Sequence, residues 1–329
     1  MTETKIIPIF PLDLVLFPRQ ELPLRIFEPR YKQLVDDCML GDGQFGVCLI
    51  DEHNSVNGWN SPKLIGTIAK ISKCEDVEMD GLQLHIETMG RNSFRIKKII
   101  PIFPLDLVLF PRQELPLRIF EPRYKQLVDD CILGDGQFGV CLIDEHNSVN
   151  GWNSPKLVGT IAKISKCEDV EMDGLQLHIE TMGRNSFRIK KIIPPVISQP
   201  TNYDPLSVEG HQEVSKVHEE IGTQEKMYIQ AEVEMIPEID ENISLVRWKG
   251  LIVLWKKKII HQALPQIVDS HALDHVLEQY YLTSDSPTID YIYSLAALGA
   301  KDPNELQPLL EAPTIEDLIE TTKELLTVK

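Results

Sequence analysis

Apolar residues near the start of the chain come in short runs broken by proline. Ile6-Ile7-Pro8-Ile9-Phe10-Pro11-Leu12 is followed by Val15-Leu16-Phe17-Pro18. Proline cannot donate to a strand ladder, so these runs predict edge strands or short strands broken by bends. The period then changes. Tyr31, Leu34, Val35, Cys38 and Met39 fall at i, i+3, i+4, i+7 and i+8, one apolar helix face. Pro29 suits the first helical position, where its missing N–H is no loss, and Gly41 stops the helix. Phe45 to Ile50 and Leu64 to Ser72 read as strands, the second rich in β-branched residues. Between them, Asp51 to Lys63 is polar and reads as a loop with an Asn57-Gly58 turn. Asp80-Gly81 is a hairpin signal. Leu82, Leu84 and Ile86 then alternate with polar partners, and Phe94-Arg95-Ile96 continues the pattern. Several short strands and one helix predict a small barrel or a pair of curled sheets.

The whole pattern then recurs. Lys5 to Lys97 reappears as Lys98 to Lys190, a period of 93 residues with two differences, Met39/Ile132 and Ile65/Val158. Solenoid repeats are shorter, more numerous and diverged. Two long, nearly identical copies fit unequal crossover or a mis-joined gene model. Lys-Ile-Ile-Pro opens both copies, at Lys5 and Lys98, and follows the second at Lys191. The expected working protein is one unit plus the tail, about 230 residues of independent information.

The tail differs. Ser198 to Gly210 reads as a loop and Glu213 to Ile221 as a short helix. Met227 to Ile236 alternates as one more strand, which the repeat itself does not contain. From Ile243 helices dominate. Leu245, Trp248, Leu251, Ile252 and Trp255 form a wide apolar stripe. Pro265, Ser286-Pro287 and Asp302-Pro303 mark helix starts, Asp302 with Glu305 resembles a capping box, and Thr314 starts the last helix. This predicts a bundle of four or five helices.

Composition, at 43% hydrophobic and 25% charged residues, is that of a globular protein. The net charge of −17 is uneven: each copy holds 11 basic and 13 acidic residues, the tail from Lys191 holds 11 and 23. An acidic surface repels phosphate and disfavours nucleic acid. Lys256-Lys257-Lys258 reads as a solvated helix face. The polar start and early prolines predict no secretory leader. The longest apolar tract of the tail, Leu251 to Trp255, falls far short of the roughly 20 residues that span a bilayer. Cys38, Cys48, Cys74 and their counterparts Cys131, Cys141 and Cys167 form no C-x-x-C, so buried free thiols in a reducing cytosol are expected.

No motif for catalysis stands out. Gly41-Asp42-Gly43-Gln44-Phe45-Gly46 matches G-x-G-x-x-G, but it follows a helix and precedes a strand, the reverse of a dinucleotide site. It reads as a helix stop. There is no P-loop and no G-x-S-x-G. His271 and His275 could pair on a metal, but no third ligand is nominated. His53, His85, His146 and His178 have no triad spacing with a cysteine. Trp59, in the polar stretch, can be a contact residue at a loop tip or can fold back on the barrel.

The repeat resembles the N-terminal substrate-binding domain of Lon proteases and stand-alone Lon-N-type proteins. The carrying residues are Ile7-Pro8-Ile9-Phe10-Pro11-Leu12, Leu16-Phe17-Pro18, and Leu22-Pro23-Leu24-Arg25-Ile26-Phe27-Glu28-Pro29-Arg30-Tyr31. Ile65-Gly66-Thr67 resembles that family's Val-Gly-Thr strand, and Gly90 to Ile96 its Gly-x-x-Arg-Phe-x-Ile strand, with Ser93 in place of arginine. Gln307-Pro308-Leu309-Leu310-Glu311 resembles its closing helix.

The resemblance implies an α+β fold: a PUA-like β-barrel, here duplicated with the first copy incomplete, then a C-terminal helical bundle. The expected division is 5–97 without a closing strand, 98–240 with a closing strand at 227–236, and 241–329 as the bundle. The implied function is non-catalytic recognition of unfolded or damaged polypeptides in the cytoplasm, beside a separate protease or ATPase. RNA binding through the barrel is the alternative, and the acidic tail argues against it. No membrane, cofactor or metal is expected. Candidate binding residues are Trp59 and Trp152, with Phe120, Arg123 and Tyr124. Two nearly identical copies compete for one closing strand. Loop entropy favours copy two by only about 1 kcal/mol, so homodimers by strand exchange are an expected minor product.

Overall fold

Each copy of the repeat folds through the same element order. In the first these are β1 (Ile9–Leu12), β2 (Glu21–Ile26), α1 (Pro29–Leu40), β3 (Gln44–Val56), β4 (Trp59–Glu78) and β5 (Leu82–Arg95). In the second they are β6 (Lys98–Leu105), β7 (Glu114–Ile119), α2 (Pro122–Leu133), β8 (Gln137–Val149), β9 (Trp152–Glu171) and β10 (Leu175–Ile193). The tail adds α3 (Val208–Ile221), β11 (Gln230–Met235), α4 (Leu245–Gln262), α5 (Ser270–Gln279), α6 (Ile289–Gly299), a 3₁₀ turn at Pro303–Glu305, α7 (Gln307–Glu311) and α8 (Ile315–Leu326). This computed structural model describes residues 7–327 apart from 57–58, 79–81, 97, 172–174, 223–224, 240, 263–269 and 285. Side chains are not described at 52–61, 76–83, 95, 170–175 and 270–271. The Asn57-Gly58 and Asp80-Gly81 turns and the helix start at Pro265 therefore lie outside the described residues. Residues 1–97 form one compact unit and residues 98–329 another.

Local chemistry explains the repeated elements. Pro29 and Pro122 open α1 and α2, and Gly41 and Gly134 end them, with the glycine N–H donating back to Cys38 and Cys131 carbonyls. In unit two the stretch read as a polar loop is a hairpin. Asn150 and Gly151 both take positive φ, 51° and 83°, and Val149 pairs with Trp152. Two positive φ values make the turn whose twist matches the flanking strands, so the ladder continues through residues whose polarity alone suggests a loop. A second backbone constraint fixes the proline-rich corner. The Arg112 N–H donates to the Gly183 carbonyl (2.9 Å), and the Gly183 N–H to Gln113 (2.8 Å). A Cβ on Gly183 would stand 2.2 Å from the Phe110 carbonyl oxygen, so only glycine allows this approach.

Unit one is an open sheet in the order β1-β3-β4-β5-β2, with β1 parallel to β3. Phe10, Leu16, Ile26, Val35, Phe45, Val47, Ala69 and Ile86 fill the space between this sheet and α1.

Unit two has the same sheet with one strand more. β11 pairs antiparallel with β6 on one side and with β10 on the other. The strands β6, β8, β9, β10 and β11 thus form a closed ring, with β7 added on β10. Pairing also sets strand length. β6 begins at Lys98 and has eight residues, whereas β1 begins at Ile9 and has four. The additional residues of β6 are those facing β11, where Ala231 lies opposite Ile100 and Glu232 opposite Ile99.

The helices of the tail pack on the face of the ring formed by Val108, Phe110, Leu142 and Val158, which join the core of Trp248, Leu251, Trp255, Ile292, Leu295 and Leu318. Phe110 stacks on Tyr293 at 4.3 Å between ring centres. Gln307 donates to the Val158 carbonyl (3.0 Å). The Lys256-Lys257-Lys258 run is not one solvated face. Lys258 is buried and donates to the Leu325 carbonyl at the end of α8 (2.6 Å), a favourable place for a cation.

The repeat thus offers a built-in control: identical residues with and without a cover. Phe110 is 2% exposed and Phe17 64%. Phe110→Ala should cost unit two about 3–4 kcal/mol, as a buried phenylalanine does. Phe17→Ala should stay within about 0.5 kcal/mol. Urea unfolding of the two variants, followed by tryptophan fluorescence and circular dichroism, checks both figures.

Alkali should separate the tyrosines similarly. Burial pushes Tyr293 up to about 12 and raises Tyr124 and Tyr228 further above the ordinary value of 10.0. Below pH 10 these phenols are protonated in both folded and unfolded chains, and their stabilisation is complete. Above it the unfolded chain ionises first, and stability falls until the folded values are passed. Melting temperature should therefore decline from about pH 10 upward, and Tyr228→Phe should make the decline shallower.

Candidate functional site

The surface that carries the tail in unit two is present in both copies, covered in one and open in the other. It has three zones. The first is the seam between β6 and β10. Ile100, Ile102, Cys141, Ile161, Phe187 and Ile189 are buried there against Ile229, Ala231 and Val233. The Ile102 N–H donates to the Ile229 carbonyl (2.8 Å). The counterparts Ile7, Ile9, Phe94 and Ile96 are only half-buried.

The second zone is polar and belongs to α2. Asp130 accepts from the Tyr228 hydroxyl (2.6 Å) and from Lys226 (2.9 Å) on one carboxylate oxygen, Oδ2. Gln126 accepts the Met227 N–H (2.8 Å) and donates to the Glu225 carbonyl (2.8 Å). Two side chains one helical turn apart thus hold the approach to β11. Their counterparts on α1, Gln33 and Asp37, are exposed.

The third zone unites most of the sequence-derived candidates. The Arg123 guanidinium lies between the rings of Trp152 (3.9 Å) and Tyr124 (4.2 Å) and pairs with Glu121 (2.9 Å). A cation held over two aromatic faces is favourable even when desolvated. The segment after β10 sits on this cluster: Trp152 Nε1 donates to the Ile197 carbonyl (2.8 Å), and the Tyr203 hydroxyl donates to Glu121 (3.1 Å). Burial and then the Glu121 carboxylate raise Tyr203 above the usual tyrosine range. Phe120 is half-buried beside His211, with ring centres 6.2 Å apart. The structure thus brings Arg123, Tyr124 and Trp152 into one contact set and leaves Phe120 at its margin. The side chain of Trp59 lies outside the described residues. In unit one Arg30 stays beside Glu28 (2.8 Å) and over Tyr31 (4.3 Å), but both charged groups are more than a third exposed.

Several residues of this surface escape a reading by pattern. Gln126 and Asp130 look like any polar helix positions. Val108, Phe110 and Val158 are ordinary strand and bend residues until a helical bundle lies on them. The alternation of Met227 to Ile236 was the one usable signal.

Burial pushes the Cys131 thiol up to about 12 and Cys48 up to about 11, so neither is a thiolate near neutral pH. All six cysteines are free, and Cys167 is exposed. His275 is exposed beside Glu278 (3.7 Å), while the side chains of His271 and His53 lie outside the described residues. Among the described residues no group of His, Cys, Asp and Glu could hold a metal ion, and no helix is long and apolar enough to cross a membrane.

Among the solved structures similar to this chain are two Lon N-terminal domains. A Lon N-terminal domain protein from Xanthomonas campestris is 22% identical, with a TM-score of 0.41 over 66% of this chain and 92% of that one. The N-terminal domain of a Mycobacterium avium complex Lon protease is 14% identical, with a TM-score of 0.42 over 70% of this chain and 98% of that one. No curated protein matches the chain. The family model described as the ATP-dependent protease La (Lon) substrate-binding domain matches residues 6–100 and again residues 99–328. Nearly the whole chain is accounted for by these two matches, and the protein belongs to the Lon substrate-binding domain family, with the β-domain in tandem.

Proposed function

We propose that this chain is a non-catalytic protein that recognises unfolded or damaged polypeptides, working in the cytoplasm beside a separate protease or ATPase. Family membership makes it a substrate-recognition module. The observation that carries the finer reading is the open face of copy one. Val15, Phe17, Phe27 and Ile65 are exposed, although the residues equivalent to Val15, Phe17 and Ile65 are buried in unit two. Apolar surface kept open on a folded sheet marks an interaction site. Residues 98–329 act in this reading as the complete domain and copy one as the receiving one. Phe27, Arg30 and Tyr31 would contact a client directly. Phe120, Arg123, Tyr124 and Trp152 would do so only where the 195–203 segment lifts from them.

The absence of a P-loop and of a nucleophile motif supports a chain without its own chemistry. The near-neutral repeat and acidic tail weigh against RNA.

Titration of the full chain with a reduced, carboxymethylated polypeptide should show saturable binding. The Phe17→Asp, Ile65→Asp double variant should bind at least about tenfold more weakly, since charges would replace desolvated apolar contacts. Equal binding by both proteins removes copy one from the site. The purified chain should turn over no ATP and cleave no unfolded protein. Turnover that persists at homogeneity and is lost on a point substitution in this chain would overturn the non-catalytic assignment.

A further inference from the structure

Copy one carries at Ile7, Ile9, Phe94 and Ile96 the residues that copy two places in the strand seam, and at Gln33 and Asp37 those of the helix that steers the tail onto it. Unit two therefore displays the ligand that this surface fits. That ligand has a definite chemistry. A lysine and, two residues later, a tyrosine share one carboxylate of the helix, and a glutamine of the same helix accepts the backbone N–H of the residue between them. Ile229, Ala231 and Val233 then alternate toward the barrel interior, and the backbone pairs on both sides.

We infer that copy one binds an extended polypeptide strand of this kind between Ile7 and the end of β5. The strand carries a lysine two residues before a tyrosine, followed by alternating small or branched apolar side chains. Asp37 would take the lysine and tyrosine, and Gln33 the backbone between them. Ile7, Ile9, Phe94 and Ile96 would receive the apolar side chains. The inference rests on the polypeptide-recognition reading and narrows its ligand. In strand addition, the main-chain ladder supplies affinity and alternate side chains supply selectivity. The general matter of unfolded clients does not require it.

A second copy of this chain is a poor occupant. Each chain carries two such faces and one tail, so a tail donated to another chain's copy one uncovers the donor's own copy two. Exchange moves the vacancy without filling it. A segment from a polypeptide that lacks its own barrel has no such penalty.

The test uses the full chain and a fluorescent peptide with the sequence of residues 225–237, followed by anisotropy. One peptide should bind per chain and saturate. Asp37→Lys should weaken it at least about tenfold, and the peptide carrying Lys226→Glu should restore binding to that variant. Asp37 is exposed on α1, so the melting temperature should not move. The inference is overturned if the peptide does not bind, if Asp37→Lys binds it as well as the parent, or if the reversed peptide fails to rescue. The carboxymethylated polypeptide is titrated in parallel. Binding of that polypeptide without binding of the peptide defeats this inference and leaves the broader recognition reading standing. Binding of neither defeats both.

Discussion

β11 is held between two copies of the same short sequence, and unit two is built around that pairing. Ala231 lies opposite Ile100 on one side and Ile192 on the other. Both isoleucines belong to Lys-Ile-Ile-Pro runs, one opening copy two and one following it. Without β11, β6 and β10 would each present an unpaired edge. With it, the ring closes, β6 lengthens, and Ile236 continues the ladder by donating to the Ser186 carbonyl (2.9 Å). That exit directs the following chain toward Phe110 and Val158, where the helical bundle packs. Each backbone hydrogen bond adds only about 0.5–1.5 kcal/mol net. Each fully buried Ile, Val or Phe adds about 1.5–3 kcal/mol. Side-chain burial therefore dominates, and the ladder chiefly decides which side chains are buried.

The two copies show how little of burial is local. The stack of Phe10 on Tyr31 (4.1 Å) recurs as Phe103 on Tyr124 (3.9 Å), because strand and helix of one copy suffice to make it. The hydrogen bond from Thr67 to the Leu16 carbonyl recurs from Thr160 to Leu109, both at 2.6 Å. Differences begin where the tail would lie. Ile65 is 59% exposed and Val158 fully buried, and a single methylene cannot cause that contrast. Position relative to residues 191–329 does. An open edge with apolar residues beside it is a hazard for self-association unless something occupies it, which makes a receiving role for copy one physically economical.

Much of this was legible in the sequence. Pro29 and Gly41 bound a helix that runs from Pro29 to Leu40. The alternation from Met227 to Ile236 anticipated β11, and the Thr314 cap, which accepts the Asp317 N–H (3.2 Å), opens α8. What was not legible has specific causes. The Asp51–Lys63 region and its copy read as loop because polar residues there leave no apolar alternation. Lys258 read as solvated because its partner, the Leu325 carbonyl, is 67 residues away. Arg123 and Trp152 are candidate contact residues, yet nothing in their own sequence indicates that Ile197 and Tyr203 lie on them. Above all, identical copies contain no information about which one the tail covers.

Covalent connection supplies that information, and it also separates the two surfaces functionally. The segment from Ile193 to β11 is short enough to keep the tail at an effective concentration in the millimolar range beside copy two. A free segment of equal intrinsic affinity must exceed that concentration before it displaces β11. Its cost in loop closure grows only with the logarithm of length, but copy one's sheet must still be reached from a tail already engaged by its bundle contacts. On the proposed reading, copy one faces external strands while the tethered strand is engaged by copy two. The same residues consequently give a closed domain in one place and, on the proposed reading, an acceptor in the other. Any ligand of the acceptor stabilises copy one in proportion to the logarithm of its concentration over its dissociation constant. On the proposed reading, a strand supplied from outside would add to the stability that copy one already draws from its own core of Phe10, Val35, Phe45 and Ile86.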